Sequence, residues 1–204
     1  MTIKQVVYAP NAPIEHVYFP LDMVISQVSR MDDAASVEVA TVGREGMVGV
    51  PVLLRSDRSP LASFAQIEGE ALRMPAADFT AEIEQSASFR DVLLRYADAY
   101  LVQVAQAGAC SQLHSVRQRC ARWLLMTQDR VNTNEFDLTH EFLGQMLGVR
   151  RATVSEIAAA LQQENLIRYY RGHMTVVDRP GLEAVSCECY QIIRREHERL
   201  FSRK

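Results

Sequence analysis

The sequence predicts an α+β fold: an antiparallel β half, a long helix, and a small helical half closed by a hairpin. Three features carry that reading. Up to about residue 87, short apolar runs alternate with Pro, Gly and Asp punctuation at strand spacing. Over 88–114, apolar side chains recur every three or four residues without a breaker. Over 138–178, two short helical patterns separated by Gly148 are followed by two β-rich runs around Arg171-Gly172. The expected architecture is an N-terminal antiparallel β jelly roll (1–87), a long helix (88–114) and a C-terminal winged helix-turn-helix with a terminal helix (115–204).

In the first segment the strand candidates are 17–19, 23–28, 37–41, 63–67 and 71–74. Pro10-Asn11, Pro20, Asp32-Asp33, 43–46 and 56–60 separate them. Such spacing fits a small closed or double-sheet β fold. On the long helix, Phe89, Leu93, Ala97, Tyr100, Val104 and Ala107 share one apolar face. Small Ala97, Ala107 and Gly108 would let a second helix approach closely. This face is expected to form a dimer interface, because a helix-turn-helix works by two-fold pairing; the alternative is that it is buried wholly within the monomer. A further helix is expected over 115–131, with Trp123 as an apolar anchor. A polar hinge follows at 132–136, and Asp178 caps a single final helix over about 179–201.

The 138–178 stretch is the most specific. Thr139 is a good N-cap, with Leu138 and Leu143 at the spacing of a hydrophobic staple. Phe142, Leu143, Met146 and Leu147 turn one way on the first helix, which stops at Gly148, where a left-handed backbone is cheapest. Val154, Ile157, Ala158 and Leu161 give the second helix a single apolar face. Gly144 sits where two such helices would cross. Arg150, Arg151, Thr153, Ser155 and Glu156 are left at the head of the second helix, the end that enters a DNA major groove in a helix-turn-helix. Arginines there suit phosphate and bidentate guanine contacts. Thr139 and His140, at the head of the first helix, and Arg171, at the tip of the wing, complete the candidate DNA-binding set. The alternative is a helical subdomain whose arginines are merely solvated.

These residues resemble the winged helix-turn-helix of the Crp/Fnr family of bacterial transcription regulators, without a gap from Leu138 to about Ile167. The family run Arg-Glu-Thr-Val-x-Arg appears here as Arg151-Ala152-Thr153-Val154-Ser155-Glu156. The first arginine and the threonine are kept, whereas Ala152 and Glu156 replace the cytosine-reading glutamate and the second arginine. The resemblance implies a cyclic-nucleotide-binding-like sensor domain, a homodimer formed through the long helix, and an inverted-repeat operator in double-stranded DNA. RNA polymerase is a further candidate partner. The looser N-terminal match centres on GREGMVGVPVLL, residues 43–54. There Val50 follows Gly49, where nucleotide-binding members carry a ribose-binding glutamate, and Arg58-Ser59 lies about one residue out of register with the phosphate-binding pair. A ribose hydroxyl facing Val50 would be left unpaired, at a cost of about 1–3 kcal/mol. The expectation is a regulator that does not depend on cyclic AMP. The helix and first strand that the resemblance places before the barrel are expected to be shortened or absent.

Composition sets the outer bounds. The 204 residues carry a net charge of −3, so a DNA contact must come from a local footprint. Candidates are Arg117, Arg119, Arg122 and Arg130 before the motif, and Arg150 and Arg151 within it. No signal-peptide pattern or membrane span is visible, so the expected location is cytoplasmic. No catalytic constellation, metal set or cofactor motif is read. His16 is the only histidine before residue 114 and no cysteine precedes Cys110, which argues against a cupin-type metalloenzyme and an N-terminal iron–sulfur site. Cys187 and Cys189, two apart on a continuous helix, would point about 200° apart and could not clip one metal. A ligand-binding module whose winged domain contacts protein is the competing functional class.

Overall fold

The structure, a computed structural model, describes residues 1–32, 35–131 and 133–202. Asp33 of the expected turn and Asn132 of the expected hinge lie outside the described residues. The β half contains β1 (Val6–Tyr8), β2 (His16–Pro20), β3 (Val24–Arg30), β4 (Ser36–Val42), β5 (Ala62–Ile67) and β6 (Ala71–Pro75). They form a four-stranded sheet ordered β1-β5-β3-β4 and a two-stranded β2-β6 pair. The pairings are antiparallel. The first strand is therefore present, short and paired along an edge, where little alternation along the chain reveals it.

Two helices here have no counterpart in the sequence reading. Short α1 (Val50–Leu53) follows Gly49, whose φ of 121° is a glycine conformation. Helix α2 (Ala76–Gln85) inserts Phe79 and Ile83 between the sheets and α3 (Ala87–Leu113). Ser86 caps α3 through Phe89 N. At 27 residues, α3 is about 40 Å long.

The face predicted for α3 is covered by the monomer. Leu93 and Ala97 are buried in the β-domain core, and Phe89 and Tyr100 pack against that same core. The Tyr100 hydroxyl donates to Gln27 Oε1. Val104 and Ala107 are half-buried, with Ala107 beside β4 and Trp123. For Leu93 and Ala97 of the expected dimer face, the cover is the chain's own sheet: periodicity shows that a helix face is apolar, not what covers it. A second, exposed stripe runs along Leu94, Leu101, Ala105 and Gly108.

After α3 come α4 (Val116–Gln128), opened by a Ser115–Gln118 capping box, and β7 (Glu135–Asp137). Helices α5 (His140–Leu147) and α6 (Arg151–Gln163) lead to β8 (Ile167–Tyr170) and β9 (His173–Val176). The segment expected as a hinge pairs instead as the outer strand of a three-stranded sheet, β7-β9-β8. The expected final helix is two: α7 (Arg179–Val185), capped by Asp178, and α8 (Cys189–Phe201). Helix α8 lies antiparallel along α3, with Cys189 near Cys110 and Arg199 paired to Asp98 at 2.8 Å.

One core joins the winged half to the sheet. Val24 and Val28 of β3 belong with Trp123, Leu124, Leu143, Val154 and Leu161. Trp123 Nε1 donates to Glu38 at 2.7 Å, and Phe142 meets Phe64 edge-on at 6.0 Å. The indole thus anchors the winged half from within and also bonds across to β4.

Candidate nucleic-acid interface

The local chemistry of the 139–176 stretch accounts for its geometry. Thr139 Oγ1 accepts from Phe142 N at 3.1 Å, and the staple residues Leu138 and Leu143 are both buried. Gly148 takes φ 65°, ψ 38°, the left-handed cap that ends α5. A Cβ on Gly144 would lie 2.9 Å from the Val149 carbonyl oxygen, so the tight turn requires glycine there. In the wing, Arg171 and Gly172 have φ of 48° and 89°, the left-handed pair that closes a two-residue hairpin.

This frame exposes the head of α6. Arg150, Arg151, Ala152 and Glu156 are exposed and Thr153 is half-buried, while Val154, Ala158 and Leu161 face the core. The guanidinium groups of Arg150 and Arg151 make no hydrogen bond or ion pair among the described residues. Arg171 is exposed at the wing tip, its guanidinium 5.2 Å from the Tyr170 ring centroid. Arg168, exposed on β8, extends the cationic surface and was not among the expected residues. Strand alternation is the signal for it, since buried Ile167 and half-buried Tyr169 put Arg168 on the outer face.

Two expected contact residues are turned toward each other. His140 Nδ1 and Ser155 Oγ lie 2.9 Å apart, and the imidazole stacks on Tyr169 at 4.1 Å. Burial, and then the Arg151 charge, hold His140 below its ordinary pKa, so the neutral ring bridges α5 and α6. Ser155 Oγ also donates to the Arg151 carbonyl at 3.1 Å. Thr139 remains exposed beside Arg171, lining the same cavity of about 450 Å³.

The four arginines near α4 do not join this surface, contrary to the expected footprint. Arg117 pairs with Glu164 at 2.6 Å. Arg119 donates to the Leu147 carbonyl at the end of α5, and Arg122 to Met126 Sδ. Arg130 is buried and bonds Glu45, the Met126 and Thr41 carbonyls and Gln103. Gly43 leaves room for it, since a Cβ there would lie 2.7 Å from Arg130 Cγ. Glu45, in the patch that resembled a nucleotide site, therefore serves Arg130.

The 43–54 patch is packed against the β-domain core. Val50 is buried in the β-domain core. The Tyr96 ring presses on Gly46, and its hydroxyl donates to the Met47 carbonyl at 3.1 Å. Tyr8 bonds the His16 and Val48 carbonyls from the other side. The Arg58 guanidinium is exposed and turned to the Asn11 carbonyl at 3.5 Å.

Comparison with known proteins agrees with this geometry. Residues 118–185 match the Crp-like helix-turn-helix domain. The fold is similar to FixK2 from Bradyrhizobium japonicum, at TM-score 0.78 and 15% identity over 91% of this chain and 94% of that one. It is also similar to a CRP-family transcriptional regulator from Thermus thermophilus, at TM-score 0.75 and 19% identity over 91% and 95% of the two chains. The c-di-GMP responsive global regulator CLP of Xanthomonas campestris matches at TM-score 0.65 and 15% identity, over 87% and 92%. No curated protein matches the sequence. Residues 118–185 are thus similar to a Crp-like helix-turn-helix domain, and over most of its length the chain has the fold of these regulators.

Proposed function

We propose that this chain is a transcription regulator of the Crp/Fnr type, a homodimer that binds an inverted-repeat operator and does so without cyclic AMP. The observation that carries this reading is the free pair Arg150 and Arg151 at the exposed head of α6, in a motif whose second helix enters the major groove N-terminus first. Arg151 reads a base edge, while Thr153, Arg171 and Thr139 meet backbone phosphate. His140 and Ser155 hold the two helices together. Independence from cyclic AMP follows from buried Val50, which offers a ribose hydroxyl no acceptor, and from the Tyr96 and Tyr8 rings that fill the core beside it. The two copies meet through the exposed stripe Leu94, Leu101, Ala105 and Gly108, where an added Cβ on Gly108 meets nothing within 4 Å. Among the described residues no helix is long and apolar enough to cross a membrane.

Selection of bound sequences from random duplexes, with no nucleotide added, tests these points together. The expected product is an inverted repeat whose half-sites lie about 34 Å apart on one face of the duplex. Leu101→Asp, which would place an unpaired charge in the dimer seam, should enrich half-sites alone. Enrichment that appears only with cyclic AMP would overturn nucleotide independence. No enrichment under either condition would favour a winged domain that contacts protein.

A further inference from the structure

Away from the DNA-facing surface, four side chains converge where the long helix ends. Cys110 lies on the last turn of α3 and His114 caps that helix. Cys187 occupies the break between α7 and α8, and Cys189 is the first residue of α8. One ligand atom from each lies within 4.8 Å of all the others. Cys110 Sγ is 3.4 Å from Cys187 Sγ, and Cys189 Sγ is 3.6 Å from His114 Nδ1. The three cysteines are free thiols and fully buried, forming a knot separate from the two large cores. The sequence-based objection to Cys187 and Cys189 assumed a continuous helix. Ser186 is extended, at φ −69° and ψ 164°, so the two thiols do not share one helical screw.

We propose that Cys110, His114, Cys187 and Cys189 form a tetrahedral site for one zinc-like divalent ion. Metal–sulfur bonds of about 2.3 Å and metal–nitrogen bonds of about 2.0 Å, at tetrahedral angles, set the ligand atoms about 3.5–3.8 Å apart. The contact of 3.6 Å has that spacing, and the one of 3.4 Å needs to open by only a few tenths of an ångström. Three thiolates and an imidazole are the soft donor set that selects zinc over magnesium or calcium. Four protein ligands close the coordination shell, as in structural sites.

The surroundings of the histidine point the same way. His114 Nε2 lies 3.2 Å from the Glu188 carboxylate, which leaves Nδ1 facing the thiols. A carboxylate behind a ligating imidazole fixes its tautomer and raises its basicity. Glu188 is thus a positioning residue, set by the chain between the two cysteine ligands. Loading the ion releases the three thiol protons to solvent and leaves the site with a net charge of about −1. The bound ion would tie the end of α3 to the start of α8, beside Ser115, where the chain passes from the long helix into the winged half.

Titration of the reduced full-length protein with cobalt(II), followed by zinc(II), tests the site. One equivalent of cobalt should give intense tetrahedral ligand-field bands with thiolate-to-cobalt charge transfer, and one equivalent of zinc should erase them. Cys189→Ser and His114→Gln should abolish or shift these bands, with circular dichroism reporting that each variant remains folded. Glu188→Gln should weaken binding by about 10–100-fold while keeping the tetrahedral spectrum. Cys120→Ser, buried outside the cluster, should leave the titration unchanged. Reduced wild-type protein that gives no tetrahedral bands would overturn the site. So would bands that survive intact in folded Cys189→Ser and His114→Gln, or a cluster whose only chemistry is a Cys110–Cys187 disulfide formed in air.

Discussion

The seam where α4 packs against the sheet, α5 and the end of α6, and the surface formed by the head of α6 and the wing, are both rich in arginine, yet they use it in opposite ways. In the seam, each guanidinium has an intramolecular acceptor. Arg130 has Glu45 and three other oxygen-bearing groups, Arg117 has Glu164, and Arg119 has the last carbonyl of α5. On α6, Arg150 and Arg151 have none among the described residues and stand in solvent. Seam cations complete the fold, whereas cations without a partner are available to a ligand. Counting arginines along the chain merges these two populations, and only long-range geometry separates them.

The sharpest test of the seam is Arg130→Ala. Glu45 would be left buried without its cation, which costs about 3–5 kcal/mol of folding stability. Chemical denaturation should show that loss, and DNA affinity measured on the remaining folded protein should change little. If Arg130→Ala instead weakened DNA binding at unchanged stability, the division between the two regions would collapse.

A pH profile probes the same seam from Glu38, which accepts from Ser26 Oγ and Trp123 Nε1. Burial is the main cause that pushes its carboxyl up to about 7, against those hydrogen bonds and nearby arginine charge. In the unfolded chain the same group titrates near an ordinary glutamate, at about 4.3. Between those values the folded protein keeps a proton that the unfolded chain has lost. The contribution of Glu38 therefore falls as pH rises through this window, by about 4 kcal/mol in all, and is level above it. Half-buried His197, pushed down to about 4 mainly by desolvation, slopes the opposite way from about pH 4 to 6.5. It is common to wild type and Glu38→Gln and cancels in their difference. The stability of Glu38→Gln relative to wild type should rise from pH 5 to 7; a flat difference would show that Glu38 stays ionised in the fold.

What could be read from the chain follows the same division between local and distant causes. The winged motif was legible because each landmark acts over a few residues: the Thr139 cap, the Gly144 approach, the left-handed Gly148 and the Arg171-Gly172 turn. The sheet-plus-helix class of the N-terminal half was legible from its punctuation. Partners distant in sequence were not. The apolar face of α3 was visible, but not that the chain's own sheet would cover it. Strand β7 offers only Phe136 between two acids, and the break after Ser186 carries no glycine or proline to announce it. The thiol–imidazole cluster depends on that break and on α8 folding back along α3, neither of which spacing along the chain reveals.

On the exposed side the expected effects are smaller and concern binding. Arg151→Ala should leave unfolding unchanged, because its guanidinium contributes no bond to the fold among the described residues. It should cost about 1–3 kcal/mol of operator affinity and relax preference at one base pair in each half-site. Competition with single-base operator variants would read this directly. An equal loss on every sequence would reassign Arg151 to phosphate.

Arg171→Ala should have the smallest effect. At the wing tip its guanidinium sits over Tyr170, a contact too exposed to hold much folding energy, and the left-handed backbone beneath it is one alanine tolerates less readily than glycine. Arg171→Lys is therefore the companion variant, since it keeps a charge at the same backbone strain. Phosphate contacts release counterions and carry no sequence information. Arg171→Ala should thus weaken specific and random duplexes alike and reduce the log–log salt slope by about 0.9 per lost phosphate contact. Arg171→Lys should restore most of that slope. If both variants lost binding equally with no change in salt dependence, the shape of the hairpin would matter more than the charge it carries. A changed base preference in Arg171→Ala would instead place the wing against a base edge, and readout would no longer belong to α6 alone.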